Sequence, residues 1–257
     1  MINSTKSHST WAHALLLTTV LALAFSPPVK AAIFQDDFQS GELRGVWQSG
    51  PDGSLGAEGQ EWKIVPDPDV ATAVKHNVLC TPAMGTQLYL YHVEPKVTAG
   101  SGLLLSFRFN ADEANDEWKT TWTLFAARIL NGPFLVDGYS VRLEYSGKTN
   151  DRKPQVTISR VDPEAGRGKF TELAAATLPV ESYQPGWNTV SFHWKADGSL
   201  QVILNGKEAV SAKDTTYEPA FRTLGIVTWL ANNLKPPETL PEGRKMYFDD
   251  VHVDVAD

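Results

Sequence analysis

Short runs of alternating apolar and polar residues, each closed by a cluster of turn-forming residues, recur along most of the chain. Leu103–Phe109, Tyr139–Tyr145, Val156–Val161, Trp187–Lys195 and Leu200–Leu204 are rich in β-branched and aromatic residues and read as strands. Met246–Val255 alternates in the same way, and Ile33–Phe38 near the other end is a related segment. Two hairpins are expected. Tyr139–Tyr145 and Gln155–Val161 flank a polar loop, and Ser199–Leu204 and Lys207–Ser211 flank Asn205-Gly206, a two-residue turn signal. Turn clusters such as Ser49-Gly50-Pro51-Asp52-Gly53 and Ala99-Gly100-Ser101-Gly102 punctuate the rest. Many short strands at this spacing predict an all-β sandwich or barrel, and the aspartate-bearing strands at the two ends suggest a sandwich whose first and last strands are neighbours. The segment 112–130 admits two readings. Trp118, Trp122, Phe125 and Ile129 make a helical stripe, but the all-β setting favours a loop to Lys119 and a strand from Thr120 to Arg128.

One run breaks the pattern. Ala14–Phe25 is apolar throughout, too short to span a bilayer, and is followed by Ser26-Pro27-Pro28. It reads as the core of a signal peptide cut after Ala31. Residues 1–31 are thus assigned to export and 32–257 to a single domain that is secreted, periplasmic or extracellular, with no membrane insertion after cleavage. The mature chain carries 21 basic against 30 acidic residues, a net charge of −9, which argues against a nucleic-acid partner. Cys80 is the one cysteine, so no internal disulfide is possible; its apolar neighbours predict a buried, inert thiol.

The order of these pieces resembles the concanavalin A-like lectin/glucanase superfamily, in particular its laminin-G-like jelly rolls. The residues that carry the resemblance are Asp36-Asp37-Phe38 with Trp47, Ser106-Phe107-Arg108-Phe109 and Asp137–Leu143. Further along, Gly186–Val190, Asp197–Lys207 and the closing Tyr247-Phe248-Asp249-Asp250-Val251 match as well. The resemblance implies an antiparallel two-sheet β-sandwich, a concanavalin A-like jelly roll, over nearly all of the mature chain. It leaves function open, because lectins, hydrolases, lyases and adhesive modules share that fold.

Laminarin- and lichenan-cleaving members of the superfamily carry Glu-x-Asp-x-x-Glu on one strand, where alternate residues share a face. The motif is absent here, and no lyase motif is matched either. The leading expectation is therefore a lectin-like domain that recognises a poly- or oligosaccharide. A divergent hydrolase or lyase using Glu144, His193 and Arg142, and a protein-binding adhesive module, stand beside it. Strand parity leaves Arg108, Arg142, Glu144 and His193 facing outward; on one shared sheet they would line a polar glycan-binding face. Trp229 with Asn232 pairs an aromatic with an amide, a sugar-contact combination. Trp47, Trp187 and Trp194 fall within strand patterns and are expected in the core, whereas Trp62, Trp118 and Trp122 lie near loops. Asp36, Asp37, Asp249 and Asp250 supply the oxygens that Ca²⁺ prefers, and the resemblance implies a structural calcium between first and last strands. His76, His92, His193 and His252 show no zinc spacing and read as lone polar residues.

Overall fold

A computed structural model describes residues 33–43, 47–49, 62–69, 76–81, 86–91, 100–111, 117–125, 138–146, 153–164, 167–220, 223–230 and 245–256. They belong to one compact unit, Ala32–Asp257. Among them are fifteen strands and one 3₁₀ turn, and no α-helix.

The strands sort into two antiparallel sheets. The eight-stranded sheet runs β13 (Lys207–Lys213), β12 (Ser199–Leu204), β11 (Trp187–Trp194), β6 (Gly102–Ala111), β15 (Met246–Ala256), β4 (Asn77–Thr81) and β3 (Lys63–Pro66). The short β1 (Phe34–Asp36) also pairs with β15, in the register Phe34↔Val253 and Asp36↔Val251. The first and last strands are thus neighbours, as the sequence predicts. The seven-stranded sheet runs β10 (Arg167–Thr177), β9 (Gln155–Glu164), β8 (Gly138–Ser146), β7 (Glu117–Phe125), β14 (Thr223–Leu230), β5 (Thr86–Tyr91) and β2 (Trp47–Ser49). The architecture is an antiparallel two-sheet jelly-roll sandwich. The strand reading of 112–130 holds, and that strand opens at Glu117, three residues earlier than expected.

Period-two patterning explains the layering. Leu103, Leu105, Phe107 and Phe109 of β6 and Val190, Phe192 and Trp194 of β11 are buried. They meet Tyr139, Val141 and Leu143 of β8 and Val156 and Ile158 of β9 in one core. Trp194 and Tyr139 touch edge to face across it, ring centroids 4.8 Å apart. Trp47 and Trp194 are buried as expected. Trp62, in the loop just before β3, is buried as well, against Phe248 at 5.9 Å between centroids. One tryptophan departs from expectation. Trp187 is partly exposed on the outer face, because its parity is opposite to that of Val190 and Phe192.

The two predicted hairpins form. Asn205 and Gly206 both take positive φ, +49° and +77°, as a two-residue primed turn requires. Gly198 has φ +80°, and a Cβ there would lie 2.5 Å from the Asp214 carbonyl oxygen, so only glycine fits. Asp214, just beyond β13, ties the sheets together. It accepts from the Tyr139 hydroxyl at 2.7 Å and from Arg160 of β9 at 2.9 Å. Burial alone would raise its carboxyl, but hydrogen bonds from Thr216, Tyr139 and Arg160 outweigh it and bring the pKa down to about 2. Cys80 is buried, and burial pushes its thiol up to about 11, which makes it unreactive.

Candidate functional site: a groove on the eight-stranded sheet

The outer face of the eight-stranded sheet is organised in rows that cross the strands. In one row Ile203, Ser191, Ser106 and His252 lie side by side on β12, β11, β6 and β15. The row on one side holds Thr189, Arg108 and Asp249; the row on the other holds Gln201, His193, Leu104 and Asp254. Two small serines between longer side chains leave a trough, since side chains two apart on a strand share a face. That trough is an open groove of about 510 Å³, lined by Ser106, Ser191, Thr189, Arg108, Asp250 and His252 among others.

The wall beside it is built on charge. Asp249 is fully buried, and its Oδ2 accepts from Arg108 Nη2 and lies 2.7 Å from His76 Nε2. Arg108 also sets its Nε 2.9 Å from Asp250 Oδ2, and its guanidinium lies over the Trp187 ring, 4.9 Å from the centroid. Trp187 in turn donates to Asp67 at 3.3 Å, while Asp67 donates its backbone N–H to the His76 carbonyl at 2.8 Å. Oδ1 of Asp249 is buried without a hydrogen-bond partner among the described residues. A bulge between Asp249 and His252 breaks the β15 ladder, and Asp250 within it holds φ +49°. The extra residue lets Asp249 and Asp250 both reach Arg108. At the opposite wall the Ser191 hydroxyl lies 3.2 Å from His193 Nε2. Burial, with Lys195 nearby, holds the His193 imidazole below its ordinary pKa.

The residues singled out from sequence divide between two faces. Arg108 and His193 stand beside this groove. Arg142 and Glu144 lie in β8, on the seven-stranded sheet, and pair with each other at 3.2 Å. The expected single face of four residues is therefore not formed, and a trio of Glu144, His193 and Arg142 cannot act at one site. Parity sets which residues point outward, but not which sheet a strand joins. Trp229 belongs to β14, where the register sets it opposite Lys119, which is itself opposite Glu144. Asn232 lies outside the described residues. His76 is not a lone polar residue, and neither it nor Trp187 was expected at a site.

The four aspartates do not fit a calcium ion. Asp36 points to the core side of its sheet, where it accepts from the Phe38 N–H at 3.1 Å and from Trp47 Nε1 at 2.8 Å. Asp37 accepts from the Gln39 N–H at 3.2 Å. Asp249 and Asp250 face the opposite way, onto Arg108. Among the described residues no group of three or more His, Cys, Asp or Glu side chains is placed to hold a metal ion. Nor is any helix among them long and apolar enough to cross a membrane.

No protein-family model matches the chain, and no curated protein matches it in sequence. Solved structures do match in fold. A glycoside hydrolase family 16 endo-glucanase from Bacteroides ovatus shares 14% identity, over 87% of this chain and 99% of that one, with a TM-score of 0.57. The globular domain of T. cruzi calreticulin shares 13%, over 87% and 88%, at 0.55. A Bacillus subtilis protein with a galectin-like fold shares 14%, over 88% and 98%, at 0.50. At such identities the likeness is one of fold.

Proposed function

We propose, from a chain with the concanavalin A-like jelly-roll fold, that this is an exported carbohydrate-recognition protein. It holds a poly- or oligosaccharide in the groove of the eight-stranded sheet. The apolar run Ala14–Phe25 supports export. One observation carries the site: the paired serines Ser106 and Ser191 sink a trough between taller rows on four adjacent strands. Hydroxyls that both donate and accept, a guanidinium, a carboxylate and an apolar end at Ile203 are what a sugar ring with polar edges and an apolar face needs.

Binding rather than cleavage is favoured by the acid inventory. Hydrolysis of a glycosidic bond uses a pair of carboxyl groups across the substrate. Among the described residues the groove presents one, Asp250, while Asp249 is buried behind it. The test is a set of thermal melts of the mature protein over a panel of polysaccharides, for the native chain and Ser191→Leu. A bound ligand raises the melting temperature of the native chain. The larger side chain fills the trough and abolishes that rise without lowering the ligand-free midpoint. A rise that persists in Ser191→Leu places the glycan elsewhere, and no rise with any polysaccharide defeats the reading.

A further inference from the structure

We infer that the groove is built for an uncharged glycan and turns away chains bearing carboxylate or sulfate groups. The inference rests on the carbohydrate reading above and adds the class of sugar. A lone outward arginine on a glycan-binding face would suggest the reverse, because guanidinium pairs well with carboxylate. Here its charge is already matched by two carboxylates. Arg108 contacts Asp249 on one side and Asp250 on the other, and its flat face is covered by Trp187. Two carboxylates against one guanidinium leave the wall negative whenever the neighbouring histidines are neutral. The surroundings add to this. Asp254 sits one row away on β15, and Glu208 stands opposite Ile203 at the far end of the groove. The nearby cations Lys195 and Lys207 are exposed, on the rim rather than in the trough.

The arrangement is not an incidental pairing of surface charges. Asp249 is fully buried, and burying a carboxylate is unfavourable unless its partners are well placed. Asp250 reaches the same guanidinium from a left-handed backbone conformation that a non-glycine residue adopts at a cost. The result neutralises Arg108 and leaves Asp250 as the acceptor that faces the groove, its side chain 44% exposed. A carboxylate accepts hydrogen bonds from hydroxyls and repels other anions. The floor serines accept and donate without charge. The trough crosses four strands spaced about 4.8 Å apart, so it runs roughly 14 Å, the length of a short oligosaccharide segment.

The experiment uses matched ligands. Each neutral oligosaccharide that binds is compared with the same oligosaccharide after its C6 hydroxymethyl groups are oxidised to carboxylates. Binding is measured by calorimetry at low and at high salt, for the native chain and for Asp250→Asn. Asparagine tolerates the left-handed conformation, so this variant keeps the bulge. The native chain is expected to bind the oxidised ligand at least about tenfold more weakly, with the gap shrinking in high salt. Asp250→Asn is expected to narrow the gap several-fold, mainly by gaining affinity for the oxidised ligand. Equal or better binding of the oxidised form by the native chain, or an unchanged gap in Asp250→Asn, overturns the inference and leaves the carbohydrate reading standing. Failure to bind either form overturns both.

Discussion

Both outer faces of the sandwich carry an arginine flanked by carboxylate, and the two arginines live in different surroundings. On the eight-stranded sheet Arg108 is 31% exposed and is held by a fully buried Asp249, by Asp250 and by the Trp187 ring. On the seven-stranded sheet Arg142 is 40% exposed and faces Glu144, 30% exposed, at 3.2 Å. Strand parity makes the four charged residues look equivalent. Cross-strand neighbours separate them: Arg108 stands beside a trough floored by serines and a bulge that delivers a second acid. Arg142 lies opposite Thr121 and Thr157 in regular ladders, with no bulge between them. An ion pair on a fully buried carboxylate beside a groove is an organised site, whereas a half-buried pair within one strand of a regular sheet is ordinary surface pairing.

Removing the buried carboxylate should produce the largest effect. Asp249→Ala leaves Arg108 and His76 without their shared acceptor and opens a void beside the bulge of β15. Breaking a fully buried pair from one side costs about 3–5 kcal/mol; Arg108 is 31% exposed and keeps Asp250, so the cost falls below that range, read as a lower urea midpoint with an unchanged slope. The same variant should lose glycan affinity, because Arg108 and Asp250 are no longer fixed at the groove wall. If Asp249→Ala unfolds no more easily than Arg142→Ala, the distinction between the faces fails.

A middle-sized effect should appear with pH. Burial disfavours the charged form of His193, so the unfolded chain takes up the proton first. The stability this site contributes is therefore complete above the unfolded imidazole pKa of about 6.5, and it is lost as pH falls below that value toward the lower folded pKa. His193→Gln should flatten the slope in that window, measured by urea midpoints between pH 7 and pH 5. The window is separate from that of Asp214, whose carboxyl is held at about 2. Stability from Asp214 is present above the ordinary carboxyl value and disappears as pH falls from near 4 toward 2. Asp214→Asn should flatten that acid limb and leave the His193 slope untouched.

Much of the fold was legible because period two is a strong signal when one face of each strand is buried. The hairpin at Asn205-Gly206 and the pairing of β1 with β15 follow from turn chemistry and patterning alone. The bulge was missed, because Met246–Val255 reads as plain alternation. Buried positions run Met246 and Phe248, then shift parity to Val251 and Val253. That change marks an extra residue at Asp249-Asp250. Two features of the site had no local signal. His76 meets Asp249 across 173 positions of sequence, and Trp187, which its own parity turns outward, meets Arg108 of the neighbouring strand only once the sheet is assembled. The division of Arg142 and Glu144 from His193 was likewise invisible, because sheet membership depends on the order in which strands dock.

The smallest effect sharpens the comparison from the other side. Arg142→Ala removes one partner of a half-buried pair that still meets solvent. The Coulomb gain of such a pair in water is offset by the cost of ordering two side chains, and the net contribution is within about 1 kcal/mol. Its urea midpoint should therefore stay close to that of the native chain, and salt should erase what difference remains. The ligand-induced rise in melting temperature should be unchanged, since the variant lies on the opposite sheet from Ser106 and Ser191. Glu144→Gln should behave in the same way. If either variant weakens glycan binding while leaving stability alone, the seven-stranded face takes part in recognition.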